Sequence, residues 1–327
     1  MRWRPALAAL CCVLMLCSCE ADLRDLCYDH SHATNLNVAF DWQKAPEMQP
    51  SGMTVLFYQV EQVTGEPERY DFAGHEGGSA RLVNDSYRAV AYNYDTEAIR
   101  YRGMENPALL EAYTRISSVE EGTQMASFTR GITMPRAAGT EQEPVILEPD
   151  PLCGVGSEAF TLKGDDSQRL VMMPEMRTKE VKITIHNVPN LQYTSQIGAA
   201  LSGLAPSVYM VSGELGESLA TETFTGAVVN ETTIVMHVRI FGHCPRAHQG
   251  EFNAHKLTIY AVLADNSKWY HTVEVTDQMH DWSQNPEDAE EIVIRLDELP
   301  IPKPIVNGSG FQPTIDGWQG IEIDVGM

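Results

Sequence analysis

Apolar and polar side chains alternate one by one in many segments of this chain, and no other pattern restricts its fold as strongly. The alternation is clear in 36–42 (LNVAFDW), 181–186 (VKITIH) and 318–325 (WQGIEIDV). Successive side chains of a strand point to opposite faces, so a period of two predicts strands that bury one face. Similar runs recur between turns rich in glycine, proline, asparagine and aspartate. The pattern therefore predicts an all-β protein of sandwiches or barrels.

The length and one loop predict two β domains of comparable size. The chain has 327 residues, and globular domains usually contain ~100–200 residues each. A polar connection with several prolines at 135–151 (PRAAGTEQEPVILEPDP) is typical of a domain boundary, which we expect near residue 155. The predicted domains are 34–155 and 156–300, followed by a proline-rich spacer and a C-terminal strand at 301–327.

The N-terminus carries an export signal. Two arginines precede an apolar stretch at 5–16, which is shorter than the ~20 residues that cross a bilayer as a helix. The next residues, 16–19 (LCSC), resemble a bacterial lipobox, whose cysteine, here Cys19, receives diacylglycerol on its sulfur. The resemblance implies a lipoprotein signal peptide at 1–18 and a tether at 19–33. An ordinary signal peptide that contains cysteines is the alternative.

The charge balance argues against nucleic acid as a partner. The chain has 23 basic and 45 acidic side chains, and its formal net charge is −22. Binding to phosphates, in nucleic acids or at an anionic membrane surface, requires basic protein surface. We therefore expect no nucleic acid partner, and we expect a membrane contact through lipid rather than through charge.

Three cysteines remain in the predicted mature chain beside the lipidated one, at positions 27, 153 and 244. An odd number cannot all pair within one chain. A disulfide between Cys153 and Cys244 fits an oxidising compartment. Three unpaired, buried thiols are the alternative.

The sequence contains no standard catalytic motif, such as a Walker loop, a nucleophile elbow or a His-Glu-x-x-His pair. The candidate metal ligands are His30, His32, His243, Cys244, His248 and His255. Their spacing matches no standard zinc pattern, so we interpret them as surface histidines and a buried thiol, without metal or cofactor. Acidic runs at 165–166 and 287–291 supply carboxylates of the kind that glycoside hydrolysis needs, but such runs are usually solvated. We therefore predict that the protein is not an enzyme.

Motifs of a known family occur at 26–30 (LCYDH), 38–42 (VAFDW), 52–55 (GMTV), 92–97 (YNYDTE) and 197–205 (IGAALSGLA). They resemble the Bacteroidetes fimbrillin-like lipoproteins, which are similar to FimB-type fimbrial anchor subunits. The resemblance implies two tandem transthyretin-like β-sandwich domains after the lipoprotein signal peptide. It also implies a protein held at the outer membrane by lipid on Cys19, exposed on the cell surface, and joined to fimbrillin-like subunits by β-strand addition.

Two hypotheses about function follow. The first is a non-enzymatic cell-surface lipoprotein that acts as a fimbrial anchor or assembly subunit. The alternative is a glycan-binding surface lipoprotein of a polysaccharide-uptake system, in which exposed Trp282 and Trp318 would contact sugars.

Two segments have more than one interpretation. Residues 318–325 either are donated to a partner or close their own domain, and we favour closure because the apolar side chains need burial. The small and apolar residues at 194–205 fit a short helix or a packed crossover.

Overall fold

The computed structural model describes residues 33–61, 65–129, 131–164, 168–243, 254–281, 283–284, 291–304 and 317–321. This part of the chain is mostly β, as the alternation predicts, and its strands form four sheets. The earlier strands are β1 (Ala33–Phe40), β2 (Gly52–Gln59), β3 (Glu68–Ala73), β4 (Gly77–Val83), β5 (Ser86–Asn93), β6 (Ile99–Arg102), β7 (Glu111–Thr114), β8 (Val145–Leu147), β9 (Cys153–Gly156), β10 (Phe160–Thr161), β11 (Arg169–Met172) and β12 (Glu175–Met176).

The later strands are β13 (Lys179–His186), β14 (Thr194–Leu204), β15 (Ser207–Tyr209), β16 (Ala220–Asn230), β17 (Thr233–Ile240), β18 (Lys256–Leu263), β19 (Lys268–Glu274), β20 (Glu291–Asp297) and β21 (Trp318–Gly320). The described α-helices are single turns, namely α1 (Val119–Gly122), α2 (Ala126–Thr129) and α3 (Thr276–Met279). Short 3₁₀ turns lie at Pro107–Leu109 and Leu191–Tyr193.

Two sheets enclose the first core. One has the order β11-β1-β4, and the other has the order β12-β9-β5-β2-β3 with β10 beside β5. Leu36 and Val38 of β1 are buried, whereas Asn35 and Asn37 are exposed and Ala39 is half-buried, which is the alternation seen in the sequence. From the facing sheet, Val55, Phe57 and Tyr87 belong to the same core.

A third sheet, of order β15-β7-β6, covers the back of β2 and β5. Leu56 and Val90 form a cluster there with Leu110, with Val208 of β15 and with Phe241 just after β17. β2 is therefore buried on both faces, which explains its nearly continuous apolar run. Because β15 and Phe241 come from the second half of the chain, this cluster joins the two halves.

The strands around the second core all belong to one nine-stranded sheet. Its order is β20-β13-β17-β16-β14-β18-β19-β21, with β8 beside β16. The long strand β16 pairs with β14 up to Thr225 and with β17 from Gly226 onward. It thereby connects two layers that share a single apolar core. Ile183 and Ile294 contribute to that core from one layer, and Ile259 from the other.

The strand pairings can be compared with two details of the sequence-based prediction. Strands β9 to β12 follow residue 152 but pair within the first two sheets, while β8 precedes it and pairs with β16. From β13 onward the strands, except β15, belong to the nine-stranded sheet, and the predicted domain limits 34–155 and 156–300 stay a prediction. The interpretation of 194–205 as a helix or crossover was wrong, because these residues form β14 between β16 and β18. The transthyretin-like type of the domains stays a prediction.

Candidate functional site

The last described strand closes the sheet of its own chain. β21 runs parallel to β19, with Trp318 opposite Lys268 and Gly320 opposite Tyr270. The backbone N–H of Ile321 donates to the Tyr270 carbonyl oxygen at 2.8 Å. Of the two interpretations of 318–325, closure is therefore observed for 318–320, and residues 322–327 lie outside the described residues.

Side chains on both faces hold this short strand in place. The Trp318 indole packs edge-on against Tyr260, with ring centroids 5.4 Å apart. Ile321 packs against the second core on the other face. Trp318 and Ile321 thus point to opposite faces of the sheet, as the alternation of side chains along a strand predicts. Trp318 is half-buried in this contact. The other tryptophan of the glycan hypothesis, Trp282, lies outside the described residues.

Among the described residues, β21 covers the edge of β19 from Lys268 to Tyr270. The Tyr270 carbonyl points to β21, so the backbone groups of residues of the same parity, including Thr272 and Glu274, point to that edge too. The pairing with β21 ends at Tyr270. No described residue bonds to the outer backbone groups of Thr272 and Glu274. An extended segment that pairs with these groups would continue the sheet beyond β21.

Three histidines meet at one end of the second sandwich. His255 and His280 bring their Nε2 atoms to 3.1 Å, and His255 Nδ1 lies 3.1 Å from the Ser202 carbonyl oxygen. The His243 ring centroid lies 5.6 Å from that of His255 and 5.1 Å from that of His280. The backbone of Gly203 lies close to the His255 ring. Only glycine suits this position, because Gly203 has φ +78° and a Cβ there would lie 2.8 Å from His255 Nδ1.

Burial keeps these imidazoles neutral. Desolvation and the neighbouring rings lower the pKa of His243 to about 3. Desolvation likewise lowers the pKa of His255 to about 4, although the Ser202 carbonyl opposes it. The interpretation of His243 and His255 as surface groups was therefore wrong, and sequence spacing had no signal for His280. Within the described ranges, no group of three or more His, Cys, Asp or Glu residues could hold a metal ion. His30, His32, Cys244 and His248 lie outside those ranges.

Cys153 is buried in the first core, and its backbone N–H donates to Asn93 Oδ1 at 2.8 Å. Its thiol is free in the structure, and burial raises the pKa of that thiol to about 12. The proposed partner Cys244 and the lipid-attachment residue Cys19 lie outside the described residues, so both assignments stay predictions. The acidic residues 165–166 and 287–290 lie outside them as well, and Glu291 begins β20.

In the part of the chain that the structure describes, no helix has the length and apolar composition needed to cross a bilayer.

A family model described as DUF5119, a domain of unknown function, matches residues 18–225. The chain belongs to the DUF5119 family. This DUF5119 protein is also 24% identical over 341 residues to a Bacteroides ovatus protein provisionally named fimbrium anchoring subunit Fim4B, covering 95% of this chain and 94% of the relative. The comparisons confirm the resemblance to fimbrial anchor subunits that the sequence motifs indicated.

Two solved structures share the fold. A Bacteroides ovatus protein, provisionally described as an adhesin, matches with a TM-score of 0.56 and 20% identity over 83% of this chain and 94% of its own. A Bacteroides thetaiotaomicron protein, provisionally described as polysaccharide-binding, matches with a TM-score of 0.50 and 10% identity over 81% of this chain and 90% of its own. At these identities the likeness concerns the fold alone, and the all-β architecture is confirmed.

Proposed function

We propose that this DUF5119 protein is a non-enzymatic cell-surface subunit that anchors or assembles a fimbria. The observation that carries the proposal is its similarity to Fim4B along 95% of this chain. The fold shared with a protein provisionally described as an adhesin is consistent with it. Fimbrillin-like subunits are the proposed partners, and lipid on Cys19 is the proposed attachment to the outer membrane.

The partner would join by adding a strand beside β19. Backbone groups at a sheet edge bind an extended segment without reference to its side chains, and neighbouring pockets supply specificity. Thr272 and Glu274 present such groups next to the end of β21. An incoming strand would extend the nine-stranded sheet there.

A pair of substitutions at one position tests the strand edge. Proline lacks the N–H donor and is tolerated on edge strands whose N–H faces outward, so Thr272→Pro removes one docking group. Thr272→Ala keeps that N–H and is the matched control, because both variants lose the hydroxyl that bonds to Thr258 at 3.0 Å. Tagged protein isolated from the surface of its native cells is expected to copurify fimbrillin-like subunits with the alanine variant but not with the proline variant. Equal recovery by both folded variants would exclude this edge while leaving the fimbrial role intact.

Attachment to the membrane is tested separately. Cys19→Ala removes the proposed lipid site, and Cys27→Ala changes another cysteine of the same tether. Membrane fractionation with a labelled fatty acid is expected to show label and membrane association for the Cys27 variant and neither for the Cys19 variant. Unchanged membrane association of Cys19→Ala would refute lipid anchoring at this residue.

A further inference from the structure

The outer face of the sheet β11-β1-β4 carries arginine, asparagine and serine side chains. β1 is the central strand of this sheet, and its inward side chains belong to the first core. The alternate positions of the three strands point to solvent and present Asn35, Asn37, Ser79, Arg81 and Arg169 beside small or apolar residues. None of the described residues on this face is an aspartate or a glutamate. The face is therefore basic, in a chain whose formal net charge is −22.

The strand register places the two arginines on a diagonal across the sheet. Arg169 of β11 lies opposite Asn37, and Asn37 lies opposite Ser79 of β4. Arg81 of β4 lies opposite Asn35, two residues earlier along β1. Neighbouring strands are ~4.8 Å apart and rise ~3.3 Å per residue, so the Cα atoms of the two arginines are about 12 Å apart. The two asparagines of β1 lie between them.

Both guanidinium groups are available to an anion. Arg81 and Arg169 are exposed, and no described residue forms an ion pair or a hydrogen bond with either guanidinium. The exposed Arg69 and Arg115 differ from them, because each is paired with a carboxylate of this chain. A guanidinium binds a carboxylate through two parallel N–H donors, so the face has two unused sites for carboxylates.

The remaining side chains of this face suit a sugar. Asparagine and serine side chains both donate and accept hydrogen bonds, as the hydroxyl groups of a sugar do. Ala39 and Val171 lie opposite each other beside the Arg169–Asn37 pair, and Val171 is 49% exposed. They provide an apolar contact for the C–H groups of a sugar ring. A polysaccharide that contains uronic acids combines hydroxyl groups, C–H groups and carboxylates in one chain.

An added strand and a membrane surface fit this face less well. β1 is hydrogen-bonded to β4 on one side and to β11 on the other, so its backbone has no free edge for a peptide. An anionic membrane would meet a wide surface of a chain with a formal net charge of −22. A single glycan chain would contact this face alone, and salt screens exposed charges beyond a Debye length of ~8 Å.

We propose that the outer face of the β11-β1-β4 sheet binds an acidic polysaccharide. Arg81 and Arg169 bind carboxylates of two of its sugars, and Asn35 and Asn37 form hydrogen bonds with hydroxyl groups between them. This face belongs to the first sandwich, whereas the proposed strand addition takes place at β19 in the second. The inference is therefore independent of the fimbrial role.

Titration calorimetry of the purified protein with oligogalacturonate tests this face without any fimbrial partner. Every sugar of this probe carries a carboxylate, so pairs of carboxylates are available at many spacings. The fully methyl-esterified oligosaccharide has the same sugars without charge and is the control ligand. The wild type is expected to bind the acid form but not the ester, and binding is expected to weaken as salt is added.

Substitutions locate the contact. Arg81→Gln and Arg169→Gln each remove one charge from the face, and Arg88→Gln removes the same charge from an exposed position on β5 as the matched control. Each of the first two is expected to weaken binding roughly threefold and the double variant roughly tenfold, while the control binds like the wild type. Circular dichroism checks that all variants are folded. The inference is wrong if the wild type does not bind the acid form, if it binds the ester equally well, or if the double variant keeps the wild-type affinity.

Discussion

At the residue scale, one buried carboxyl group stands out. Glu222 lies on β16 opposite Leu201 and Ile146 and is only 1% exposed. Burial raises the pKa of Glu222 well above its usual value, the charge of Glu148 raises it further, and Arg239 opposes the shift. A group that must retain its proton, or ionise without a bonded partner, reduces the stability of the folded state.

We expect Glu222→Gln to stabilise the protein, and more so at higher pH. The folded-state pKa lies above the usual 4.5, so the contribution of Glu222 to stability is present below pH 4.5 and is lost as the pH rises. Between pH 4.5 and the folded-state pKa, each pH unit lowers the free energy of unfolding by about 1.4 kcal/mol. A glutamine at this position does not ionise and avoids this loss. Urea unfolding at pH 5 and pH 8 measures it, with Glu158→Gln at an exposed position as the control. An equal effect at both pH values would contradict the assignment.

The buried histidines have the opposite consequence, a loss of stability in mild acid. The pKa of His255 is lowered to about 4 from a usual 6.5, so the unfolded chain takes up its proton first as the pH falls. Its contribution is present above pH 6.5 and is lost towards pH 4, at about 1.4 kcal/mol per pH unit. We expect His255→Gln to flatten the dependence of the free energy of unfolding on pH between pH 6.5 and 4. His186→Gln, at an exposed position, is expected to keep the wild-type slope.

At the scale of elements, the small sheet β15-β7-β6 ties the halves of the chain together. Glu111 of β7 accepts two hydrogen bonds of 2.6 Å from Arg102 of β6. It also accepts one from the hydroxyl of Ser207 on β15. Burial alone would raise the pKa of Glu111, but these bonds outweigh it and the pKa is lowered. Arg102 also lies over the Tyr113 ring, 5.1 Å from its centroid.

We expect Glu111→Ala to reduce the free energy of unfolding by about 1–3 kcal/mol, because it leaves the Ser207 hydroxyl without its acceptor and removes a bidentate pair. Glu121→Ala is the matched comparison, since the Arg115–Glu121 pair is exposed on both sides. Its loss is expected to reduce the free energy of unfolding less than the loss of Glu111 does, because solvent screens an exposed ion pair. Thermal or urea unfolding of both variants measures the difference, and equal costs would show that β15 does not depend on this pair.

At the scale of the whole molecule, each half of the chain contributes strands or side chains to the sandwich that the other half mainly forms. The first sandwich needs β11, which pairs in parallel with β1 far along the chain. Its back is covered by Val208 and Phe241 from the second half. In return, the second sandwich takes β8 from the earlier part of the chain.

A fragment that ends at the predicted boundary is therefore expected not to fold. Residues 33–155 lack β10, β11 and β12, so β1 would become an exposed edge and the first core would open. Residues 33–176 contain every strand of the first two sheets and are expected to keep more strand structure, although the back of β2 loses the cover of Val208 and Phe241. Circular dichroism and thermal unfolding compare the two fragments. A cooperative transition in 33–155 would overturn this view of the halves.

The sequence alone determined the all-β class, the strand that contains 36–40 and the family resemblance, because alternation along a strand and short motifs are local properties. Tertiary structure alone decided that 194–204 is a strand, since its run of small and apolar residues is buried on both faces and shows no period of two. It also decided that β9 to β12 pair with the strands of the first two sheets. The contact of His280 with His255, 25 residues apart along the chain, was likewise decided by the tertiary structure. Strand partners and side-chain clusters form through space between distant segments, so neither periodicity nor spacing along the chain records them.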